Sequence, residues 1–160
     1  MEKLEIKKIR AIIGLGNPGQ KYYKNRHNIG FRVIDELASQ FFCSWKKSEN
    51  MEVAQVDISS IMQDQKKHEI YLIKPTTFMN SSGKVIQFLT KKGIKPEEIL
   101  VIHDDLEKKF GNMSVRLGGS ARGHNGIRSI MGVIGADFWR LRFGIGRPED
   151  KTEVGDYVLS

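Results

Sequence analysis

Two short apolar runs constrain this chain more than anything else in it. Ile9 to Leu15 (IRAIIGL) is a compact apolar stretch ending at a glycine, and Ile99 to Ile102 (ILVI) contains no polar residue at all. A strand with one wet face alternates polar and apolar residues, so a run without alternation is a strand buried on both faces. Such strands need helices to cover them. Val33, Ile34, Leu37, Ala38 and Phe41 recur at helical spacing, with Asp35, Glu36 and Gln40 between them, and predict an amphipathic helix over 28–42. Further strands are predicted over 51–58, 68–74, 113–117 and 139–145, and helices over 81–92 and 126–134. Strands alternating with helices imply a layered α/β domain. The connection from Leu106 to Met113 reads as a hairpin and predicts a mixed rather than purely parallel sheet. A chain of 160 residues supports one such domain.

The excess of 26 Lys and Arg over 19 Asp and Glu gives a net charge of +7, which favours polyanionic partners through long-range, salt-sensitive forces. No stretch reaches the roughly 20 apolar residues of a membrane helix. The N-terminus is charged throughout and lacks a signal-peptide core, and the single Cys43 permits no internal disulfide. These features predict a cytoplasmic protein with no membrane association. The four histidines and one cysteine show no metal-ligand spacing, so no zinc or other metal is expected.

Gly14-Leu15-Gly16-Asn17-Pro18-Gly19 formally matches the glycine pattern that cradles dinucleotide phosphates. That reading requires a helix opening at the glycines, with its N–H groups on the pyrophosphate. Here Gln20 to His27 intervene, and Pro18 removes a donor from the loop. No nicotinamide cofactor is expected. The glycines serve instead to turn the chain and present Asn17 at a strand end.

Three other segments stand where a strand gives way to a loop: KPTTFMNSSG with Asn80, VIHDDL with its carboxylates, and GGSARGHNGIRSI with His124 and Asn125. Together with Asn17 they offer imidazole, carboxylate and neutral amides. That set suits metal-free cleavage of an ester. A neutral imidazole can take a proton from water, a carboxylate can fix its tautomer, and amides can stabilise an oxyanion.

In order along the chain, GLGNPG-x₂-Y, RHNIGF, KPTTFMN-x-SG, VIHDDL, GGS-x₂-GHNG-x-RSI and FWRLRFGIGRP resemble the bacterial-type peptidyl-tRNA hydrolase family, from about Ile12 to Leu159. The resemblance implies a monomeric three-layer α/β/α sandwich with a mixed central sheet. It also implies hydrolysis of the ester between a peptide and the 3′ ribose of tRNA, without a cofactor. By motif, His27 is the implied base and Asp104 its orienting acid. Asp104 and Asp105 should point to opposite faces of their strand. Asn17, Asn80 and Asn125 are the implied substrate-positioning amides; Tyr22, Phe78, Met79 and Ile29 read as pocket walls or core, with Tyr22 and Phe78 expected to contact substrate.

Arg140 and Arg142 alternate with Leu141 and Phe143, and Arg116 alternates with Val115 and Leu117, so each set shares a sheet face. The resemblance implies that Arg116 and Arg142 clamp the 5′ phosphate of tRNA, with Arg140 and Arg122 in the same basic patch. Lys108, Lys109 and Arg128 would extend it along the acceptor stem. His68 is expected to be exposed, and His103 to face away from the catalytic carboxylate. Asn25 stands where the family usually has Thr, and Arg122 where it usually has a small residue. Relatives are expected to continue through one more helix after the DYVL segment. A non-catalytic RNA-binding relative on the same scaffold is the competing reading, and the joint presence of His27, Asp104 and the three amides argues against it.

Overall fold

Alternation along the central strands decides where the helices lie. The computed structural model describes residues 3–146 and 154–159. Its strands are β1 (Ala11–Gly14), β2 (Lys46–Lys47), β3 (Met51–Asp57), β4 (Glu69–Pro75), β5 (Ile99–Asp105), β6 (Met113–Leu117) and β7 (Trp139–Gly144). The helices are α1 (Ile29–Gln40), α2 (Ser59–Met62), α3 (Ile86–Lys91), α4 (Asn125–Ile134) and α5 (Val154–Val158). Ala11, Ile13, Ile99 and Val101 pack in one core with Ile86, Leu89, Ile127 and Ile130 of α3 and α4. Their neighbours Ile12, Leu100 and Ile102 join Ile34 and Ala38 of α1 in a second core on the other face. The result is the three-layer α/β/α sandwich with a mixed sheet that the resemblance implies.

The seven strands run in the order β2-β3-β4-β1-β5-β7-β6. Pairs β1–β4, β1–β5 and β5–β7 are parallel, whereas β3–β4 and β6–β7 are antiparallel. The sheet is therefore mixed, but not for the reason expected. The chain from Leu106 to Met113 is not a hairpin, because β7 lies between β5 and β6 and pairs with both. A short connection suggests adjacency, but β7 pairs with β5 along its whole length, from Trp139 to Gly144, and takes that place. The helix expected over 81–92 begins as a 3₁₀ stretch, Met79–Val85, and becomes α-helical only at Ile86. His68 is half-buried rather than exposed, its Nε2 lying 3.4 Å from the Ile9 carbonyl.

One contact positions the site. The first turn of α1 presses onto the end of β1 where two glycines meet. A Cβ on Gly30 would lie 2.4 Å from the Leu15 nitrogen and 2.5 Å from the Ile102 oxygen, and one on Gly14 would lie 2.3 Å from the Gly30 oxygen. No larger residue fits at either position, because backbone atoms cannot swing aside. This close approach brings the turn Arg26–Asn28, which carries His27, to the carboxyl end of β5.

Candidate active site

β5 delivers two consecutive carboxylates at its end, and strand alternation sends them apart. Asp104 faces His27 and His124, and Asp105 faces Arg122 and Arg142. His27 Nδ1 lies 2.8 Å from Asp104 Oδ1 and 2.9 Å from Oδ2. The same Oδ1 is 2.8 Å from His124 Nε2.

The two imidazoles are not equivalent. His124 is the N-cap of α4, and its Nδ1 accepts from the N–H groups of Gly126 and Ile127 at 3.1 and 3.2 Å. A nitrogen that accepts carries no proton, so the proton of neutral His124 sits on Nε2 and is donated to Asp104. Both of its nitrogens are occupied. His27 donates Nδ1–H to the carboxylate, and its Nε2 has no hydrogen-bond partner among the described residues. The His27 side chain keeps 12% of its surface in solvent, against 7% for His124. One nitrogen of this cluster is thus both basic and reachable.

Electrostatics fit that assignment. Burial alone would raise the Asp104 carboxyl, but the two facing imidazoles hold it well below the usual carboxylate range. It stays ionised and accepts from both rings. His103 is pushed down to about 3, first by burial and then by the neighbouring His124, so it is neutral. Its Nδ1 donates to the Asp104 carbonyl oxygen at 2.7 Å. It avoids the Asp104 carboxylate, as expected, yet it does not leave the site: its ring lies edge-on against His124, with centroids 5.0 Å apart.

His27, Asp104 and His124 offer three potential ligand atoms within 4.8 Å of one another. Metal binding there would require His124 to give up its Nε2 proton and move it to Nδ1, which would cost the α4 cap its two hydrogen bonds. The donor set fits a hydrogen-bonded network and does not fit a metal centre.

His27 and Asp104 line a cavity of about 310 Å³ together with Asn125, Arg116, Arg122, Arg140 and Arg142. Asn17, Asn80, Tyr22 and Phe78 lie outside that lining. Asn17 is buried, and its Oδ1 accepts from the Met79 N–H at 2.8 Å, tying the first loop to the segment that carries Asn80. Asn80 and Asn125 are both exposed, and a Cβ on Gly126 would lie 2.6 Å from the Met79 sulfur, so the start of α4 packs closely on the segment that carries Asn80. Tyr22 and Phe78 pack edge-to-face at 6.4 Å, and Phe78 remains exposed. Asn28, not singled out from the sequence, is fully buried and clamps the Asn17 backbone, accepting from its N–H and donating to its C=O at 2.8 Å each. His124, whose place in the sequence suggests no more than a loop imidazole, is a full member of the network. N-cap preferences favour Ser, Thr, Asp and Asn, so in the GHNG turn they point to Asn125 and pass over the histidine that caps α4.

The basic residues divide by burial. Arg116 on β6 and Arg140 on β7 are register partners and share a face with Arg142. Arg116 and Arg122 are exposed. Arg140 is not available as part of a surface patch: only 3% of it is exposed, its two terminal nitrogens donate to the Ser120 and Ala136 carbonyls, and it stacks on Phe138. Burial, then Arg116 and Arg142, lower it to about 10. Its role is to fasten the loop that carries Gly118 to Gly123. Val154 and Val158 of α5 close one side of the cavity, and Arg26 lies over the Tyr157 ring at 4.2 Å.

Fold and site together define a hydrolytic enzyme built on an α/β/α sandwich, with its polar centre at the carboxyl ends of parallel strands. Residues 11–160 match the family model described as peptidyl-tRNA hydrolase. The peptidyl-tRNA hydrolase of Rickettsia peacockii (strain Rustic) is 46% identical over 152 residues, covering 93% of this chain and 80% of the relative. That of Sulfurihydrogenibium sp. (strain YO3AOP1) is 48% identical over 154 residues, covering 95% and 78%. The crystal structure of peptidyl-tRNA hydrolase from Acinetobacter baumannii superposes with a TM-score of 0.89 at 37% identity, over 99% of this chain and 79% of that one. The chain belongs to the peptidyl-tRNA hydrolase family, and its activity is that of a hydrolase. No helix among the described residues is long and apolar enough to cross a membrane.

Proposed function

We propose that the chain cleaves the ester between a peptide and the 3′ ribose of tRNA, with His27 as general base. The observation that carries this reading is the free Nε2 of His27, opposite a nitrogen fixed on an ionised and buried carboxylate. Nε2 takes a proton from water as the water oxygen attacks the ester carbonyl. Asp104 holds the ring in the reactive tautomer and stabilises the imidazolium that forms. The tetrahedral intermediate collapses, the ribose 3′ oxygen leaves with the proton from Nε2, and the peptide departs as a carboxylic acid. Asn125 lines the cavity and can donate to the oxyanion without adding charge; Asn17 and Asn80 belong to the loops that frame the peptide side. Arg116, Arg122 and Arg142 face the same cavity and receive RNA phosphate, whose oxygens match guanidinium forks.

The test is steady-state hydrolysis of peptidyl-tRNA by His27→Ala. We expect kcat to fall by about three orders of magnitude, as when a general base is removed, with the thermal transition retained. A rate within tenfold of wild type would reject His27 as the base.

A further inference from the structure

Asp105 is not used by this chemistry, yet only 5% of it is exposed and it lines the same cavity as the catalytic pair. Its Oδ1 accepts from the Glu107 N–H at 2.8 Å, which fixes the carboxylate at the turn after β5. Its Oδ2 is buried without a hydrogen bond and points between two cations, 3.5 Å from Arg142 and 3.8 Å from Arg122. Both separations exceed hydrogen-bond length, so the carboxylate attracts both guanidinium groups while leaving their N–H donors to other acceptors. Arg142 keeps only 13% of its side chain in solvent, and Arg122 holds a left-handed backbone, φ 49°. Arg116 and Arg122 line the same cavity as Arg142 and repel it; of the two acidic side chains among the described residues of that lining, Asp104 faces the imidazoles and Asp105 faces the arginines.

We infer that Asp105 is a positioning residue for substrate binding: a fixed counter-charge that holds the Arg142 and Arg122 guanidinium groups side by side, with their donors turned outward for one RNA phosphate. The inference rests on the reading that this face receives phosphate. Two effects oppose each other. By Coulomb attraction alone, removing a negative charge beside a phosphate site would tighten binding. Against that, loss of the counter-charge frees Arg142 and Arg122, which repel each other, and a pre-arranged fork becomes a disordered one. Asp105 and Arg142 are both shielded from solvent, and for that pair positioning wins.

Asp105→Asn, nearly identical in shape, separates the two. With peptidyl-tRNA as substrate we expect KM to rise about five- to tenfold while kcat stays within twofold, the pattern of lost uniform binding. In an Arg142→Ala background the same change should alter KM by less than twofold, because the arm it positions is gone. A lowered or unchanged KM, or an equal effect in both backgrounds, overturns the assignment. Should the Asn variant fail to fold, Asp105→Glu keeps the charge but displaces it by a methylene: a raised KM at constant kcat supports the proposal, and an unaltered KM overturns it. If Arg142→Ala raises KM and Asp105→Asn does not, only Asp105 is misassigned. If Arg142→Ala leaves KM and its salt dependence untouched, the phosphate reading falls, and this inference with it.

Discussion

His103 makes acid stability the sharpest test of the site's architecture. Its ring is buried, neutral and held at about 3, against 6.5 for the ordinary group. Between those values the unfolded chain binds a proton that the native state refuses, so folding loses stability as pH falls. The sign follows from linkage: a folded-state histidine pKa below the unfolded one means stability rises with pH throughout that window. Each pH unit is worth about 1.36 kcal/mol, so taking the protein from pH 7 to pH 5 should remove about 2 kcal/mol through this residue alone. That is a large part of the 5–15 kcal/mol typical of a domain. His103→Asn retains an N–H donor for the Asp104 carbonyl and cannot titrate. Denaturant unfolding at pH 7, 6 and 5 should show the wild type losing about 2 kcal/mol more than the variant over that range. Parallel curves for the two proteins would refute the claim that a neutral imidazole is locked beside the Asp104 backbone.

Other expectations concern the site's supports. His124→Ala removes an N-cap worth about 1 kcal/mol together with one of the two rings facing Asp104, so calorimetry should show a lower Tm and peptidyl-tRNA assays a lower kcat. Gly30→Ala should abolish soluble folded protein, since its Cβ meets backbone at 2.4 Å. Gly132→Ala on α4 meets nothing within 4 Å and should instead stabilise by about 0.5–1 kcal/mol, measured by chemical denaturation. Arg142→Ala should raise KM strongly at low salt and weakly at high salt; a loss independent of ionic strength would contradict phosphate binding.

Much of this was legible in the chain because the signals were local. Apolar runs marked β1 and β5, the periodicity of Val33, Ile34, Leu37 and Ala38 marked α1, and strand alternation separated Asp104 from Asp105 correctly. What escaped depends on partners far away in sequence. Nothing near Leu106 announces that β7 will enter between β5 and β6. Arg140 looks like any surface cation until Ser120 and Ala136 supply its carbonyl partners. Asn28 follows a conspicuous histidine, and its clamp on Asn17 exists only because Gly14 and Gly30 let α1 approach β1. The two-residue β2 and the four-residue α2 carry too few residues for any period to register.

The insertion of β7 also sets an order of assembly. Among the described residues β6 pairs only with β7, and β7 follows it in the chain. A growing polypeptide can therefore dock α1 on β1 and β5, joining His27 to Asp104, while the segment bearing Arg116 still has no strand to lie against. Only when residues 139–144 emerge does the arginine face acquire a floor. The imidazole and its carboxylate thus come together first, and the cluster of guanidinium groups is completed only after β7 has joined the sheet.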